Sequence, residues 1–492
     1  MKDKTGDMNL VNDHAALSPL RKGVEVELII DKLAFGGKAV ARMEGFVVFV
    51  DHALPGQKVR VLITRKKAQF AEARVVQVLA QAPAYVEPFC HHFGFCGGCQ
   101  WQDLAYPEQL RWKRLQVEEA VRRLAGLSRE VLEPVGSPGE RYYRNKMEFT
   151  FGPRAWLPAG ELLGGKTPGY GGCTLGLHVP GGFDRVFDLE HCYLQSPQTP
   201  AIVKEVRDFC RESRVPAYNT RMHRGFWRFL VLREGKRTGQ TLAHLITTGQ
   251  GESSIVDTLG RHLAARFPGI TTMVHSLSQN KAQVAVGETS RVMWGPGYIE
   301  EELCGLGFRI SAHSFFQTNT AAAEALYGAV SSLGEFTGKE TVWDLYCGAG
   351  SIGLSLASKV RRVVGFELVQ EAVDDAYVNC RLNRVDNCSF LAGDLKDLIR
   401  EAVASPRHYG RPEVVVTDPP RAGMHADVVA ALKELAPRRI IAVSCNPATL
   451  ARDLELLQDD YDTLSIQPFD LFPHTGHIEC VARLERRKDS GQ

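Results

Sequence analysis

Long hydrophobic runs are missing from this 492-residue chain: no stretch of eighteen apolar residues occurs, so no membrane-spanning helix is expected. An apolar leader is missing too. Met1 to Leu20 carries Asp3, Asp7 and Asp13, which does not fit a secretory signal. Charge of one sign is lacking, since 59 Lys and Arg stand against 57 Asp and Glu, a net +2. That total excludes a simple polybasic tail protein but averages over domains. Twelve cysteines are too sparse and irregular here for a disulfide framework. Neither internal repeats nor low-complexity tracts are visible. The expectation is a cytoplasmic, monomeric protein of two to four domains with reduced cysteines, some of which carry chemistry.

Organisation changes along the chain. Residues 1–18 are polar and aperiodic, the pattern of a disordered lead-in. Short alternating runs follow: Val24–Ile30, Gly45–Val50, Lys58–Ile63 and Ala71–Val78, punctuated by Gly36-Gly37 and Pro55-Gly56. They predict a small β-barrel over 19–80. Residues 21–78 hold eleven Lys or Arg and six Asp or Glu, hence 11 − 6 = +5, leaving −3 for the rest. A small basic barrel suggests an oligonucleotide surface. Residues 90–99 form a cysteine-rich knot. A helix is predicted from Tyr106 to about Leu124, with Leu110, Val117, Ala120, Val121 and Leu124 on one face. The stretch 81–330, with glycine-rich turns at 163–165 and 169–172, reads as α+β. From Thr341 the rhythm becomes regular. Strands at 341–345, 363–367, 389–391, 413–417 and 439–443 alternate with helices, which predicts a parallel sheet wound with helices over 331–492. A final antiparallel pair, 464–468 and 477–484, is expected at the sheet edge.

In the wound region each strand end carries a signal. Strand one runs into Asp344-Leu345-Tyr346-Cys347-Gly348-Ala349-Gly350, with Ser351 expected to cap the next helix. Glycines there let the backbone approach a ligand at a helix N-terminus. Glu367, some twenty positions on, ends strand two, where an acid accepts from ribose hydroxyls. Both features suit dinucleotide enzymes and S-adenosylmethionine (AdoMet) methyltransferases, and Gly353 keeps the dinucleotide spacing open. Strand three ends in Gly393-Asp394, where a carboxylate can read an adenine amine. Strand four ends in Asp418-Pro419-Pro420-Arg421, a stiff, donor-poor loop at the ligand edge that favours AdoMet.

Strand five ends in Ser444-Cys445-Asn446-Pro447, which places Cys445 beside that edge. Cys210, Cys304, Cys347, Cys380 and Cys388 lack such a context and are expected to be small buried residues. Uracil gives Cys445 a purpose. Its carbon 5 attacks a methyl sulfonium poorly until a thiolate adds to carbon 6, and a base must then remove the carbon 5 proton. Glu479, on the final hairpin, is the candidate base, with His474 and His477 as outsiders. In the knot, Cys90-x5-Cys96-x2-Cys99 points to a metal site. Cys173 and Cys192 are candidates for a fourth ligand, and His91 and His92 would permit zinc.

Asp418-Pro419-Pro420-Arg421, Ser444-Cys445-Asn446-Pro447 and His474-Thr475-Gly476-His477-Ile478-Glu479 together resemble the RNA uracil-C5 methyltransferases, which make 5-methyluridine. Ser314-Phe315-Phe316-Gln317-Thr318-Asn319 is similar to that family's element before the methyltransferase domain. The resemblance runs from about Leu20 to Arg486. It implies a Rossmann-like α/β methyltransferase domain behind an OB-like TRAM barrel that binds RNA. It makes Cys445 the nucleophile and Glu479 the proton acceptor. Gln317, Tyr346, Glu367, Asp394 and Asp418 would bind AdoMet, with Asp418 also near the uracil. It further implies a [4Fe–4S] cluster on Cys90, Cys96, Cys99 and Cys192. Cys192 is chosen over Cys173 by the segments Leu175-Gly176-Leu177-His178 and Asp188-Leu189-Glu190-His191-Cys192. The uridine would be flipped out, with Phe316 or Tyr346 to stack on it. TRAM plus cluster looks like the enzymes of 23S ribosomal RNA, with the tRNA T-loop as the alternative. Cytosine-C5 methylation would be expected to show a proline–cysteine or threonine–cysteine context, and a non-catalytic RNA-binding protein would not keep the full set.

Overall fold

A computed structural model describes residues 20–158, 172–251, 254–405 and 409–487. The expected lead-in at 1–18 and most of the glycine-rich turns at 163–165 and 169–172 lie outside them. Two units separate, residues 1–85 and 86–492.

In the first unit, β1 (Glu25–Leu33), β2 (Ala39–Met43), β3 (Phe46–Asp51), β4 (Lys58–Lys66) and β5 (Phe70–Ala80) close a barrel in the order β1-β2-β3-β5-β4. Alternation puts Val48, Val50, Val59, Val61, Ala71 and Ala73 inside. The sequence pattern missed β2, whose Ala39-Val40-Ala41-Arg42-Met43 is short and alanine-rich.

The second unit begins with the knot and α1 (Tyr106–Leu124), which starts at the expected residue with Pro107 in its first turn. Its buried face differs from the expected apolar one. Leu124 is 49% exposed, whereas Gln109 and Lys113 are buried. Both polar groups meet partners from residues 470–474, which makes their burial tolerable. The central layer comprises β6 (Lys146–Gly152), β7 (Thr174–His178), β8 (Val186–Asp188), α2 (Thr199–Ser213), β9 (Trp227–Glu234), β10 (Thr241–Thr247), α3 (Ser254–Arg266), β11 (Ile270–Leu277) and β12 (Thr289–Trp294). Its seven strands order as β12-β11-β10-β9-β6-β7-β8, and β13 (Tyr298–Leu303) and β14 (Leu306–Ser311) form a separate hairpin.

The wound layer follows: α4 (Thr320–Gly334), β15 (Thr341–Leu345), α5 (Ser351–Ala357), β16 (Arg362–Glu367), α6 (Gln370–Leu382), β17 (Cys388–Ala392), α7 (Leu395–Ala404), β18 (Val414–Thr417), α8 (Ala426–Leu435), β19 (Arg439–Ser444), α9 (Pro447–Leu457), β20 (Tyr461–Phe469) and β21 (Glu479–Arg486). Its sheet runs β17-β16-β15-β18-β19-β21-β20. β15 to β19 are parallel, and β21 is antiparallel to both neighbours. The terminal pair therefore does not sit wholly at the edge: β21 is interior and only β20 lies outside it. Even β20 is flanked, because Leu132 N donates to Ile466 O and Val135 N to Pro468 O. α1 packs on the same layer, its Val117 and Val121 sharing a core with Trp343, Leu454 and Ile466. Among the described residues no helix is long and apolar enough to cross a membrane.

Candidate active site

At the carboxyl edge of the parallel strands the chain turns sharply after β15. Tyr346, Gly348 and Gly350 all have positive φ (65°, 55° and 77°), so the turn uses left-handed backbone three times in five residues. Gly350, not Ser351, caps α5, and the Ser351 hydroxyl instead pairs with Tyr327 at 2.8 Å. A Cβ on Gly353 would stand 2.9 Å from Asp344 Oδ2, the atom that accepts from Gly353 N. The third glycine thus serves a close approach to Asp344. Burial pushes Asp344 up to about 7, and its Oδ1 has no partner.

Glu367, at the end of β16, braces this turn: Gly348 N donates to Oε2 at 2.9 Å and Val369 N to Oε1 at 3.0 Å. Asp394 stands at the end of β17, but its carboxylate caps α7 by accepting from Lys396 N and pairs with Lys396 Nζ at 3.0 Å. The half-buried Tyr346 packs against the α7–α9 side of the core and bonds the His425 backbone, and burial pushes its phenol up to about 12. Gln317, 7% exposed, is fixed through its carbonyl, which accepts from Asn145 Nδ2 at 2.8 Å. Asn319 caps α4 and donates to Leu471 O, so this segment is tied to both layers.

The two neighbouring phenylalanines part company. Phe316 is 4% exposed and packs on Phe308, 5.7 Å between centroids, so it cannot stack on a base as expected. Phe315 is 65% exposed and its ring edge lies 3.9 Å from where a Gly348 Cβ would be. Of the two rings, Phe315 is the one with an open face, which its sequence does not reveal.

Strand pairing brings Cys445 and Glu479, the two residues expected to do the chemistry, to one end of the sheet. β19 and β21 pair antiparallel up to Ser444↔Cys480. Cys445 directly follows Ser444 and Glu479 directly precedes Cys480, so both stand beside the last pair of this ladder, close enough for the Glu479 charge to act on the Cys445 thiol. Asp418 and Arg421 act on both from the loop after β18. That loop is held by Asp418 N donating to Leu345 O and by Asn446 Nδ2 donating to Arg421 O at 3.0 Å. Burial, then the Glu479 and Asp418 charges, push the Cys445 thiol up to about 11. Burial and the Asp418 charge push Glu479 well above the usual carboxylate range, and burial lifts Asp418 to about 6. Arg421 opposes this for Cys445 and Glu479, a role the sequence reading left unassigned. His474 and His477 are half-buried or deeper, and burial brings each down to about 4. His474 is engaged with Gln109 and Phe89, a structural position.

All twelve cysteines are free thiols. Cys304 is exposed, at the left-handed turn between β13 and β14, which corrects the expectation of burial, and Cys388 is half-buried. Cys90, Cys96, Cys99 and Cys192 line one cavity with His92, Phe93 and Leu177. Cys173 is elsewhere, against Cys210 on α2. Burial raises all four cavity thiols, Cys96 and Cys99 to about 12, which favours their protonated form. Among the described residues no three His, Cys, Asp or Glu side chains close on a point where a single ion would sit.

A family model described as tRNA (Uracil-5-)-methyltransferase matches residues 271–487, and a TRAM domain model matches residues 19–76. A protein of Nitratidesulfovibrio vulgaris named an uncharacterized RNA methyltransferase is 41% identical over 95% of this chain and 97% of its own length. One of the same name from Bacteroides thetaiotaomicron is 40% identical over 92% of this chain and all of its own. Among solved structures, the Pyrococcus abyssi tRNA (uracil-54, C5)-methyltransferase with S-adenosyl-L-homocysteine superposes with a TM-score of 0.71. It is 27% identical and covers 93% of this chain and 99% of that one. The chain belongs to the tRNA (uracil-5-)-methyltransferase family of RNA methyltransferases, with a TRAM domain at its N-terminal end.

Proposed function

We propose that this protein transfers the methyl group of AdoMet to carbon 5 of a uridine in RNA, with Cys445 as nucleophile and Glu479 as the base. The observation that supports the reading is the antiparallel β19–β21 pairing, which runs to Ser444↔Cys480, the chain neighbours of Cys445 and Glu479, at the ligand edge of the sheet. The Gly348 turn, Glu367, Tyr346, Gln317 and Asp418 would hold AdoMet. Asp394 would join them by turning from its cap toward the adenine. Phe315 would stack on the flipped base, and Arg421 would support the charge that develops on the uracil oxygen.

The Cys445 thiolate adds to carbon 6 and the ring becomes an enolate. Carbon 5 then takes the methyl group, and Glu479 removes the carbon 5 proton so that the C–S bond breaks. Glu479→Gln should therefore stall after methyl transfer and leave a covalent protein–RNA adduct that survives a denaturing gel. No adduct would count against Glu479 as base.

Both groups must act deprotonated, and both are raised. The thiol is mostly protonated at neutral pH, so the thiolate fraction grows as pH climbs toward about 11. The single-turnover rate should rise by up to about tenfold per pH unit between roughly pH 6 and 8. A flat profile would contradict an unassisted thiol.

Cys90, Cys96, Cys99 and Cys192 would hold a [4Fe–4S] cluster, which supplies folding energy and leaves no open ligand position for substrate chemistry. Protein purified without oxygen should carry about four irons per chain. A zinc-only preparation would refute this. The TRAM barrel would bind phosphates, since the +5 balance of residues 21–78 suits sequence-independent contacts. TRAM and the knot together favour 23S ribosomal RNA as substrate. The likeness to the Pyrococcus abyssi enzyme favours the tRNA T-loop. Mapping 5-methyluridine in both RNAs of a deletion strain decides between them.

A further inference from the structure

The loop 470–478 joins β20 to β21 and delivers the chain to Glu479. It is gripped by the residues that follow the cysteine knot. Gln100 N and Trp101 N both donate to His474 O, at 2.8 and 3.0 Å. Gln100 Oε1 accepts from Gly476 N at 3.0 Å, three residues before Glu479. Gln109, fully buried on α1, closes the circuit. Its Oε1 accepts from His474 N at 2.9 Å, and its Nε2 donates to Trp101 O and Leu104 O at 2.9 and 2.8 Å. His474 itself holds φ of 65°, a conformation that a β-carbon residue keeps only when its surroundings enforce it. Gln100 directly follows Cys99, so a knot cysteine and the clamp are neighbours in the chain.

We infer that Gln100 and Gln109 are positioning residues for the proton-removal step. The inference rests on the reading that Glu479 is the base. Its chemistry separates the steps. The sulfur of Cys445 bonds carbon 6, and carbon 5 takes the methyl group as the S–CH3 bond of AdoMet breaks to leave S-adenosylhomocysteine. Glu479 then takes the carbon 5 proton, that electron pair restores the C5=C6 bond, and the C6–S bond breaks. Only this last stage uses Glu479. A loosened clamp slows elimination and spares addition and methyl transfer, whereas general damage slows all stages alike.

The test is a single-turnover experiment on the full chain with substrate RNA and methyl-labelled AdoMet, scoring label in RNA and adduct on denaturing gels. Gln100→Ala should transfer methyl within about twofold of the parent rate, yet eliminate about tenfold to hundredfold more slowly and accumulate adduct. Gln100→Glu keeps an oxygen acceptor for Gly476 N and should restore release. AdoMet affinity certifies that each variant is folded, and Gln100→Met, of similar length, replaces the alanine variant if that one loses it. Adduct no higher than in the parent, or both stages falling in proportion, overturns the inference. Glu479→Gln runs alongside: if it traps adduct and the Gln100 variants do not, the clamp is refuted alone. If Glu479→Gln traps none, the base assignment falls first and takes the clamp with it.

Discussion

Replacing Cys445 by alanine should abolish methyl transfer, a loss of at least about 10⁴-fold, while AdoMet affinity stays within about twofold. The size follows from the proposed mechanism, in which carbon 5 of uracil becomes an enolate carbon only after the thiolate has added to carbon 6. The groups proposed to hold AdoMet stand on other strands: the Gly348 turn follows β15 and its brace, Glu367, ends β16. Cys445 adds little to the core, so folding should be nearly unaffected. Cys480 cannot substitute for it. That thiol is fully buried on β21 opposite Ser444, and side chains alternate between faces along a strand, so it points away from the face that Glu479 uses. Transfer of labelled methyl to RNA and calorimetric binding of AdoMet check the two halves separately. Methylation at even a hundredth of the parent rate would defeat the nucleophile assignment.

The wound sheet was legible because its strands are buried on both faces and read as unbroken apolar runs. β15 falls at Thr341–Leu345 as expected, and β16 to β19 begin or end within a residue or two of their predicted limits. Where each strand ends was legible for the same reason, since an apolar run stops at the sheet edge. Sheet order was not. Nothing local in Glu479–Arg486 says that it enters between β19 and β20, yet that insertion is what brings Glu479 to the end of β19 next to Cys445. Phe315 and Phe316 are identical neighbours, and only the packing of Phe308 decides which one is buried. Gln109 and Lys113 looked like the polar side of α1 because their partners lie 365 and 357 residues away. Cys192 was separable from Cys173 only through the resemblance, because spacing alone cannot say that Cys173 turns toward Cys210.

Lys113→Ala should cost about 3–5 kcal/mol of stability, a large share of the roughly 5–15 kcal/mol that a domain has. Lys113 and Asp470 are 1% and 0% exposed and meet at 2.6 Å, so removing the ammonium strands a carboxylate in the core. Burial pulls the Lys113 ammonium below its ordinary range, and the Asp470 charge opposes that shift. The double replacement Lys113→Met with Asp470→Leu removes both charges and fills their space, so it should recover most of the lost stability. Chemical denaturation of the two variants gives the comparison. A single-variant loss below about 1 kcal/mol would show that the pair is not isolated from water. Rate should not recover with stability. Asp470 Oδ1 also accepts from Phe472 N at 3.0 Å, and Lys113 Nζ donates to Phe472 O at 3.2 Å. Those bonds shape the first turn of the loop that ends at Glu479, and no apolar pair can replace them. A double variant that is stable but slow to release RNA would separate what the ion pair does for the fold from what it does for the base.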